Sequence, residues 1–333
     1  MTRLTGALLV GGASRRFGSP KALARFRGET LAARAHRLLD EVCDEVLVVG
    51  KTGELGSLPF SVLDDGGGPS RAPVFGLVAA LRHARHEVVV ALPVDNPLIT
   101  PGALRALGEA SAVPSERIPL PGAYPRSLLP ALEGRLERGE LSLRGVNPRA
   151  LRLPERLLVD ADTPTELTEL ERPGHALVVG GTGMLAGLTR ALAERGHAVT
   201  SVARRAVQLG SGVVSLPLDY GDDEHLAGGL CEAIASRGPL ELAVCWVHTD
   251  APAVPAAVAD ALAPGARLVQ VFGTRIWLLA DVPLHVAYRQ VLLGSVGDRW
   301  LTHEEISDGV LEAVDADRPL WVVGERSERQ VSD

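Results

Sequence analysis

Short apolar runs alternate along the chain with stretches that have helical periodicity. Residues 46–49 form a short apolar run, and residues 88–92 form a continuous one, as expected for a strand covered on both faces. After Thr30, a common N-cap residue, apolar positions recur with the spacing of a buried helix face. Further helices are predicted to begin near Pro101 and at Pro164, and another to cover about 126–138. This alternation predicts an α/β fold whose mostly parallel sheet has helices on both faces.

The second half of the chain repeats the pattern with which the first half begins. An apolar strand at 176–179 runs into a glycine-rich turn, and a helix is predicted to begin near Met184. Pro173-Gly174 interrupts the pattern just before this strand. A length of 333 residues also favours two domains. We therefore predict two three-layer domains, at 1–172 and 175–333.

Composition and charge limit the kinds of binding partner and the cellular compartment that we expect for this protein. The chain is 46% hydrophobic and carries a net charge of −7, which argues against a general nucleic-acid surface. No apolar run reaches the length of a membrane span, and the first is a short strand followed at once by glycines. The three cysteines have no metal-site spacing, which is typical of a reducing compartment. We expect a soluble, cytoplasmic protein with no nucleic-acid or membrane partner.

The first glycine-rich loop follows a strand predicted at 6–10. Glycines let a backbone approach a phosphate chain and offer N–H groups to it, and cationic side chains supply the opposing charge. The spacing matches neither a Walker loop nor a dinucleotide fingerprint. The alternative is an ordinary strand-to-helix turn with solvated arginines. The candidate residues of this loop are Gly11, Gly12, Ala13, Ser14, Arg15 and Lys21.

Acidic residues follow the predicted strands of the first half. Asp95 comes soon after the buried strand at 88–92, where ligands of open α/β sheets gather. A carboxylate there suits Mg²⁺, which takes one or two carboxylates together with phosphate oxygens. Asp160 and Asp162 could add a second carboxylate, although Asp162 is also typical of a helix start. Asp65 belongs to the segment Asp64-Asp65-Gly66, whose composition is typical of a surface turn.

Taken together and in order, these segments resemble the molybdenum cofactor guanylyltransferases, a branch of the nucleotidyltransferase superfamily. The resemblance covers roughly residues 5–171 and implies a Rossmann-like nucleotidyltransferase fold for the first domain. The matching segments are Leu9-Val10-Gly11-Gly12 through Lys21, Asp65, Ala72-Pro73-Val74-Phe75-Gly76, Asp95-Asn96-Pro97 and Asp162-Thr163-Pro164.

The resemblance also implies an activity and a set of site residues. The implied reaction transfers GMP from GTP to molybdopterin with Mg²⁺, and other proteins of molybdenum cofactor synthesis are possible partners. It assigns catalysis to Arg15, Lys21 and Asp95, nucleotide binding to Leu9, Gly11, Gly12, Ala13, Ser14, Lys21, Asp65 and Asp95, and the metal to Asp95 and Asp162.

The resemblance predicts which nucleotide is used from Gly11-Gly12, because the cytidylyl branch of the family usually has Ala-Gly at these two positions. The absent methyl group leaves room near the base and favours GTP. Two alternatives stay open for the first domain. One is cytidylyl or other nucleotidyl transfer, and the other is a non-catalytic nucleotide-binding scaffold.

The second glycine-rich turn has the context of a dinucleotide site, because it follows a strand and opens a helix. The next strand, at 198–202, ends in Ala203-Arg204-Arg205, where arginines suit a 2′-phosphate and an acid would suit NAD. The alternative for these arginines is a solvated loop. The predicted cofactor-binding residues are Gly180, Gly181, Thr182, Gly183, Met184, Leu185, Ala203, Arg204, Arg205 and Asp219.

Residues 175–330 resemble a truncated short-chain dehydrogenase/reductase domain, and this implies an NAD(P)-binding Rossmann fold. The family's Tyr-X-X-X-Lys pair is absent, because Tyr288 is followed by Leu292 and no lysine occurs beyond Lys51. Without a nearby ammonium the usual proton donor is missing. Binding of NADP(H) is therefore predicted in preference to turnover, and a true reductase, with His248 or His303 as the acid, is the alternative.

Overall fold

The computed structural model describes residues 2–11, 17, 20–51, 58–219, 222–247, 251, 253–273, 279 and 281–325. The chain divides into two compact units, Met1–Glu171 and Arg172–Asp333. Within the described residues, no helix combines the length and the apolar character that crossing a membrane requires.

The first unit is built on a five-stranded sheet with the order β5-β4-β1-β6-β7. Its neighbouring strands are parallel except for the last pair, β6 and β7. Its strands are β1 (Leu4–Leu9), β2 (Arg25–Phe26), β3 (Glu29–Thr30), β4 (Glu45–Gly50), β5 (Val62–Asp64), β6 (Val88–Pro93) and β7 (Gly122–Pro125). Its helices are α1 (Leu31–Asp40), α2 (Pro73–His83), α3 (Pro101–Ala110), α4 (Leu129–Glu137) and α5 (Pro164–Glu171). The small ribbon β2–β3 stands apart from this sheet.

Local sequence signals explain where several of these helices begin. The Thr30 hydroxyl accepts a hydrogen bond from the backbone N–H of Ala33, which confirms the predicted cap of α1. Pro164 is the first residue of α5, also as predicted. The predicted helix at 126–138 is shorter in the structure, because Arg126–Leu128 forms a 3₁₀ turn before α4.

The second unit contains a seven-stranded sheet with the order β10-β9-β8-β11-β12-β13-β16. Every neighbouring pair in this sheet is parallel. Its strands are β8 (His175–Val179), β9 (Ala198–Ala203), β10 (Val213–Pro217), β11 (Leu240–Trp246), β12 (Leu262–Phe272), β13 (Ala287–Leu293) and β16 (Leu320–Val323), and β14 (Ser295–Val296) pairs with β15 (Arg299–Trp300) outside it. Its helices are α6 (Ala186–Glu194), α7 (Asp223–Arg237), α8 (Val254–Ala261) and α9 (His303–Ala316).

This strand order reverses direction at β8, as in a doubly wound dinucleotide-binding fold. Helices α6 and α9 contribute to the apolar core on one face of the sheet, while α7 and α8 contribute to the core on the other. The α/β prediction with parallel sheets between helices is confirmed for both units. Helix α6 begins at Ala186, slightly later than the predicted start near Met184.

The connection from β12 to β13 spans 14 residues. Adjacent parallel strands are normally joined by a crossover that contains a helix. The crossover from β12 to β13 covers only residues 273–286, and its described residues, 273, 279 and 281–286, contain neither helix nor strand. The described part of this crossover therefore provides no helix beside the carboxyl end of β12.

Candidate functional site

The candidate site of the first unit lies at the carboxyl ends of its parallel strands. Leu9 is the last residue of β1 and pairs in register with Pro93 at the end of β6. The Leu9 side chain is buried in the core, so a contact with a nucleotide would come from its backbone. Gly11 follows and is exposed. The other loop candidates, Gly12, Ala13, Ser14 and Arg15, lie outside the described residues.

Lys21 contacts two acidic residues that are far apart in the sequence of this unit. Its Nζ lies 3.0 Å from Oδ2 of Asp95 and 2.8 Å from Oδ1 of Asp162. Burial by itself lowers the pKa of Lys21, but the hydrogen bonds and charges of Asp162 and Asp95 outweigh burial and raise it. The ammonium therefore stays charged at any ordinary assay pH and holds both carboxylates at one point.

The two acidic segments are also joined directly. The N–H of Ala161 donates to the carbonyl of Asp95 at 2.9 Å, and the amide of buried Asn96 donates to Oδ1 of Asp160 at 2.6 Å. Partial removal from water and the nearby charge of Asp95 raise the pKa of Asp160 to about 6, although the Asn96 hydrogen bond acts in the opposite direction. Sequence reasoning named Asp160 but missed the part that Asn96 plays in placing it.

Asp162 lies at a helix start, as one of its two interpretations predicted, and its carboxylate also contacts Lys21. The Glu166 carboxylate accepts hydrogen bonds from the backbone N–H groups of Asp162 and Thr163, and the Thr163 hydroxyl accepts one from the N–H of Glu166. This reciprocal pair is a capping box at the start of α5. Asp162 thus precedes a capped helix, which leaves its carboxylate directed at Lys21.

Asp65 lies in a turn, as its composition predicted, but its side chain is almost fully buried. Oδ1 accepts hydrogen bonds from Nζ of Lys51 at 2.5 Å and from the N–H of Gly67 at 2.9 Å. A Cβ atom placed on Gly11 would lie 3.8 Å from Oδ2 of Asp65, so this carboxylate borders the glycine loop. Sequence reasoning missed Lys51. The available signal was that Lys21 and Lys51 are the two lysines of the chain and both follow early strands.

In the second unit, the glycine turn lies between β8 and α6. Gly180 has a φ of +79°, and its N–H donates to the carbonyl of Val202 at 2.9 Å. A Cβ atom on Gly180 would also lie 2.7 Å from the carbonyl oxygen of Trp246. Glycine is therefore required here both by the backbone conformation and by close packing.

A cleft of about 650 Å³ opens beside this turn. The described residues that line it are Gly180, Thr182, Gly183, Met184, Ala203, Arg204, Arg205, Trp246 and His303. Three of the predicted cofactor-binding residues are not among them. The space beside Gly181 is filled by Ser201 and Thr189, Leu185 is buried in the core, and Asp219 lies beyond β10 with its side chain exposed.

Tyr288 is the second residue of strand β13. Its hydroxyl donates to Oε1 of Gln270 at 2.6 Å, and burial raises its pKa to about 12. Leu292 lies further along the same strand. His248 lies outside the described residues, and His303 begins α9 at the edge of the cleft. Tyr288 is therefore held as a neutral, packed side chain.

Comparison with known proteins places the first unit in a family. A family model, the MobA-like NTP transferase domain, matches residues 6–152. A probable molybdenum cofactor guanylyltransferase from Deinococcus radiodurans is 33% identical to this chain, over 53% of this chain and 97% of its own length. Another, from Opitutus terrae, is 35% identical, over 42% of this chain and 76% of its own. This chain belongs to the molybdenum cofactor guanylyltransferase family.

The family match covers the first unit only. Among solved structures, a short-chain dehydrogenase/reductase from Serratia marcescens is similar at a TM-score of 0.36, with 18% identity over 47% of this chain and 98% of that chain. The second unit combines a doubly wound strand order with a glycine turn and a cleft beside that turn.

The donor set of the guanylyltransferase-family unit fits one kind of metal. Among the described residues, no group of three or more His, Cys, Asp or Glu side chains could hold a metal ion. Asp95 and Asp162 nevertheless present two carboxylates around one ammonium. Mg²⁺ commonly binds through one or two carboxylates and completes its shell with water and substrate phosphates. These residues therefore suit an Mg²⁺ ion that arrives with a nucleotide. They do not suit a metal ion whose ligands all come from the protein.

Proposed function

We propose that the first unit transfers GMP from GTP to molybdopterin and releases pyrophosphate. The observation that carries the proposal is the contact of Lys21 with both Asp95 and Asp162, in a chain of this family. A phosphate-binding cation and two acidic metal ligands are what a nucleotidyl transfer needs at one point.

The proposed reaction needs little covalent work from the protein. A terminal phosphate oxygen of molybdopterin attacks the α-phosphorus of GTP, and the bond from that phosphorus to the bridging oxygen of pyrophosphate breaks. Lys21, and by family resemblance Arg15, bind the phosphates and orient them. Asp95 and Asp162 would hold Mg²⁺, which neutralises charge on the phosphate oxygens. Before the nucleotide binds, the positive charge of Lys21 offsets the repulsion between the two carboxylates that it contacts.

We expect GTP with Mg²⁺ to raise the melting temperature more than CTP with Mg²⁺ does. A ligand at a hundredfold excess over its Kd contributes about 2.7 kcal/mol, and one that binds tenfold more weakly contributes about half of that. Release of pyrophosphate in the presence of molybdopterin should show the same order of preference. Differential scanning fluorimetry and a pyrophosphate assay check the two parts.

Gly11→Ala is the matched variant for this prediction. The added Cβ would meet Gly50 at 3.7 Å and Asp65 at 3.8 Å, which are ordinary contacts, so the unit should fold normally. It should reduce the shift with GTP more than the shift with CTP. Equal shifts with both nucleotides would contradict the guanine preference, and binding without any turnover would favour a scaffold role.

We further propose that the second unit binds NADP(H), as a binding module and not a carbonyl reductase. The observation that favours it is that Arg204 and Arg205 directly follow β9 and line the cleft, where an acid would otherwise bind the ribose hydroxyls of NAD. The enclosure of Tyr288 in β13 argues against reduction, since this hydroxyl already donates to Gln270.

Replacing both Arg204 and Arg205 by Ala should remove most of the preference for NADP(H) over NAD(H). Loss of a charge-assisted phosphate contact costs about 1.5–3 kcal/mol, so the NADP⁺ affinity should fall roughly 10- to 150-fold while that for NAD⁺ changes little. Calorimetry on the full chain measures both constants. Arg190→Ala, on the exposed side of α6, is the control. Tighter binding of NAD⁺ than NADP⁺ by the unaltered protein would refute the proposal.

A further inference from the structure

The side chain of Trp246 spans three strand ends in the second unit. Trp246 is the last residue of β11 and lines the cleft. A Cβ atom on Gly180, after β8, would lie 3.3 Å from Cδ1 of this indole. A Cβ atom on Gly273, after β12, would lie 3.2 Å from its Cη2. The indole therefore runs from the glycine turn to the end of the next strand, and glycine at both positions leaves room for it.

The strand order tells which part of a dinucleotide would meet this indole. A doubly wound sheet binds the two halves of a dinucleotide on either side of the point where the strand order reverses. That point lies between β8 and β11, and the pyrophosphate belongs at the glycine turn that follows β8. Arg204 and Arg205 at the end of β9 place the adenosine half on one side. The other half must then lie over the ends of β11 and β12, where Trp246 lies.

We propose that Trp246 is a stacking platform for the nicotinamide ring, and that it makes the second unit selective for oxidised NADP⁺ over NADPH. This inference rests on the proposed NADP(H) site and adds the oxidation state to it. The oxidised ring is planar and cationic, whereas the reduced ring is neutral. An indole face attracts a cation through the ring quadrupole. Tryptophan is more effective in this interaction than tyrosine or phenylalanine. Only the oxidised cofactor gains that attraction.

The position of Trp246 also allows the second unit to bind NADP⁺ selectively without transferring a hydride. With the indole beneath it, the nicotinamide is held at the ends of β11 and β12. The hydroxyl of Tyr288, on the adjacent strand β13, already donates a hydrogen bond to Gln270. The second unit would thus report the oxidised state of the cofactor pool by occupancy and leave the cofactor unchanged.

The test is calorimetric titration of the full chain with three probes: NADP⁺, NADPH and 2′-phospho-ADP-ribose. The last probe carries the same phosphates and adenosine but has no nicotinamide. NADP⁺ should bind roughly 2- to 30-fold more tightly than either of the other two. Trp246→Leu should abolish this advantage and leave the affinity for 2′-phospho-ADP-ribose unchanged. Trp246→Phe should keep part of it, which separates stacking from a folding defect.

Arg190→Ala serves as the control. Arg190 is exposed on α6 and, among the described residues, is not one that lines the cleft, so this variant should bind all three probes normally. If none of the probes bound the unaltered protein, the NADP(H) site itself would be wrong. Equal affinities for all three, tighter binding of NADPH, or a Trp246→Leu variant that kept the NADP⁺ advantage would each refute stacking while the site stood.

Discussion

Asp95→Asn is expected to abolish pyrophosphate release from GTP while the first unit stays folded. Asn preserves the size of the side chain but removes the negative charge that contacts Lys21 just beyond strand β6. The remaining carboxylate, Asp162, is half exposed and would bind Mg²⁺ more weakly by itself. Removal of one preorganised charge at such a site lowers turnover by about 100- to 1000-fold or more. Initial rates at saturating GTP and Mg²⁺ measure the loss.

A matched control for Asp95→Asn is Asp40→Asn. Asp40 is exposed at the end of α1, on the same unit, and takes no part in the proposed site. It should keep the rate of the unaltered protein and an unchanged melting temperature. If Asp95→Asn itself kept near-normal Mg²⁺-dependent turnover, the assignment of Asp95 as the metal ligand would be wrong.

Lys21→Ala should lower kcat/KM with GTP and with CTP by the same large factor. Lys21 donates hydrogen bonds to two carboxylates at the proposed phosphate site, so its loss should remove charge for the phosphates and leave base selectivity unchanged. A charge-assisted phosphate contact is worth about 1.5–3 kcal/mol, and a second loss comes from leaving Asp95 and Asp162 to repel one another. Steady-state kinetics with both nucleotides check the ratio.

Lys21→Arg and a pH series complete this experiment. Arg retains the charge but not the geometry, so it should recover part of the activity. The pKa of Lys21 is raised above its ordinary 10.5 by its two acidic neighbours, so its contribution is present throughout the neutral range and is lost only as pH rises past that value. A loss restricted to GTP, or a Lys21-dependent fall in activity near neutral pH, would contradict the phosphate role.

The fold class and the positions of many elements could be predicted from local pattern. A continuous apolar run at 88–92 predicts a strand covered on both faces, and that strand is the buried β6. Thr30 and Pro164 predicted helix starts because caps and first-turn prolines act through neighbouring backbone groups. Signals of this kind need only residues a few positions apart. The least accurate boundaries, at α4 and α6, were those where a turn precedes the helix.

The candidate sites were predicted less completely because their contacts join distant segments. The rule that ligands gather at the carboxyl ends of strands pointed to Asp95 and to the second glycine turn. Nothing local, however, pairs Lys21 with Asp162, which lies 141 positions away, or Lys51 with Asp65. The role of Trp246 was missed for the same reason. Its importance comes from the two glycines on neighbouring strands that it touches.

By itself, the sequence determined the α/β class, the two glycine-rich turns and the resemblance of the first half to the guanylyltransferases. These depend on periodicity, on conformations open only to glycine, and on motifs read within short windows. Only the tertiary structure decided that Lys21 joins both acidic segments, that Asp65 is buried against Lys51, and that Tyr288 is packed inside a strand. The physical reason is that strand order and register bring together side chains whose separation along the chain carries no information about their distance in space.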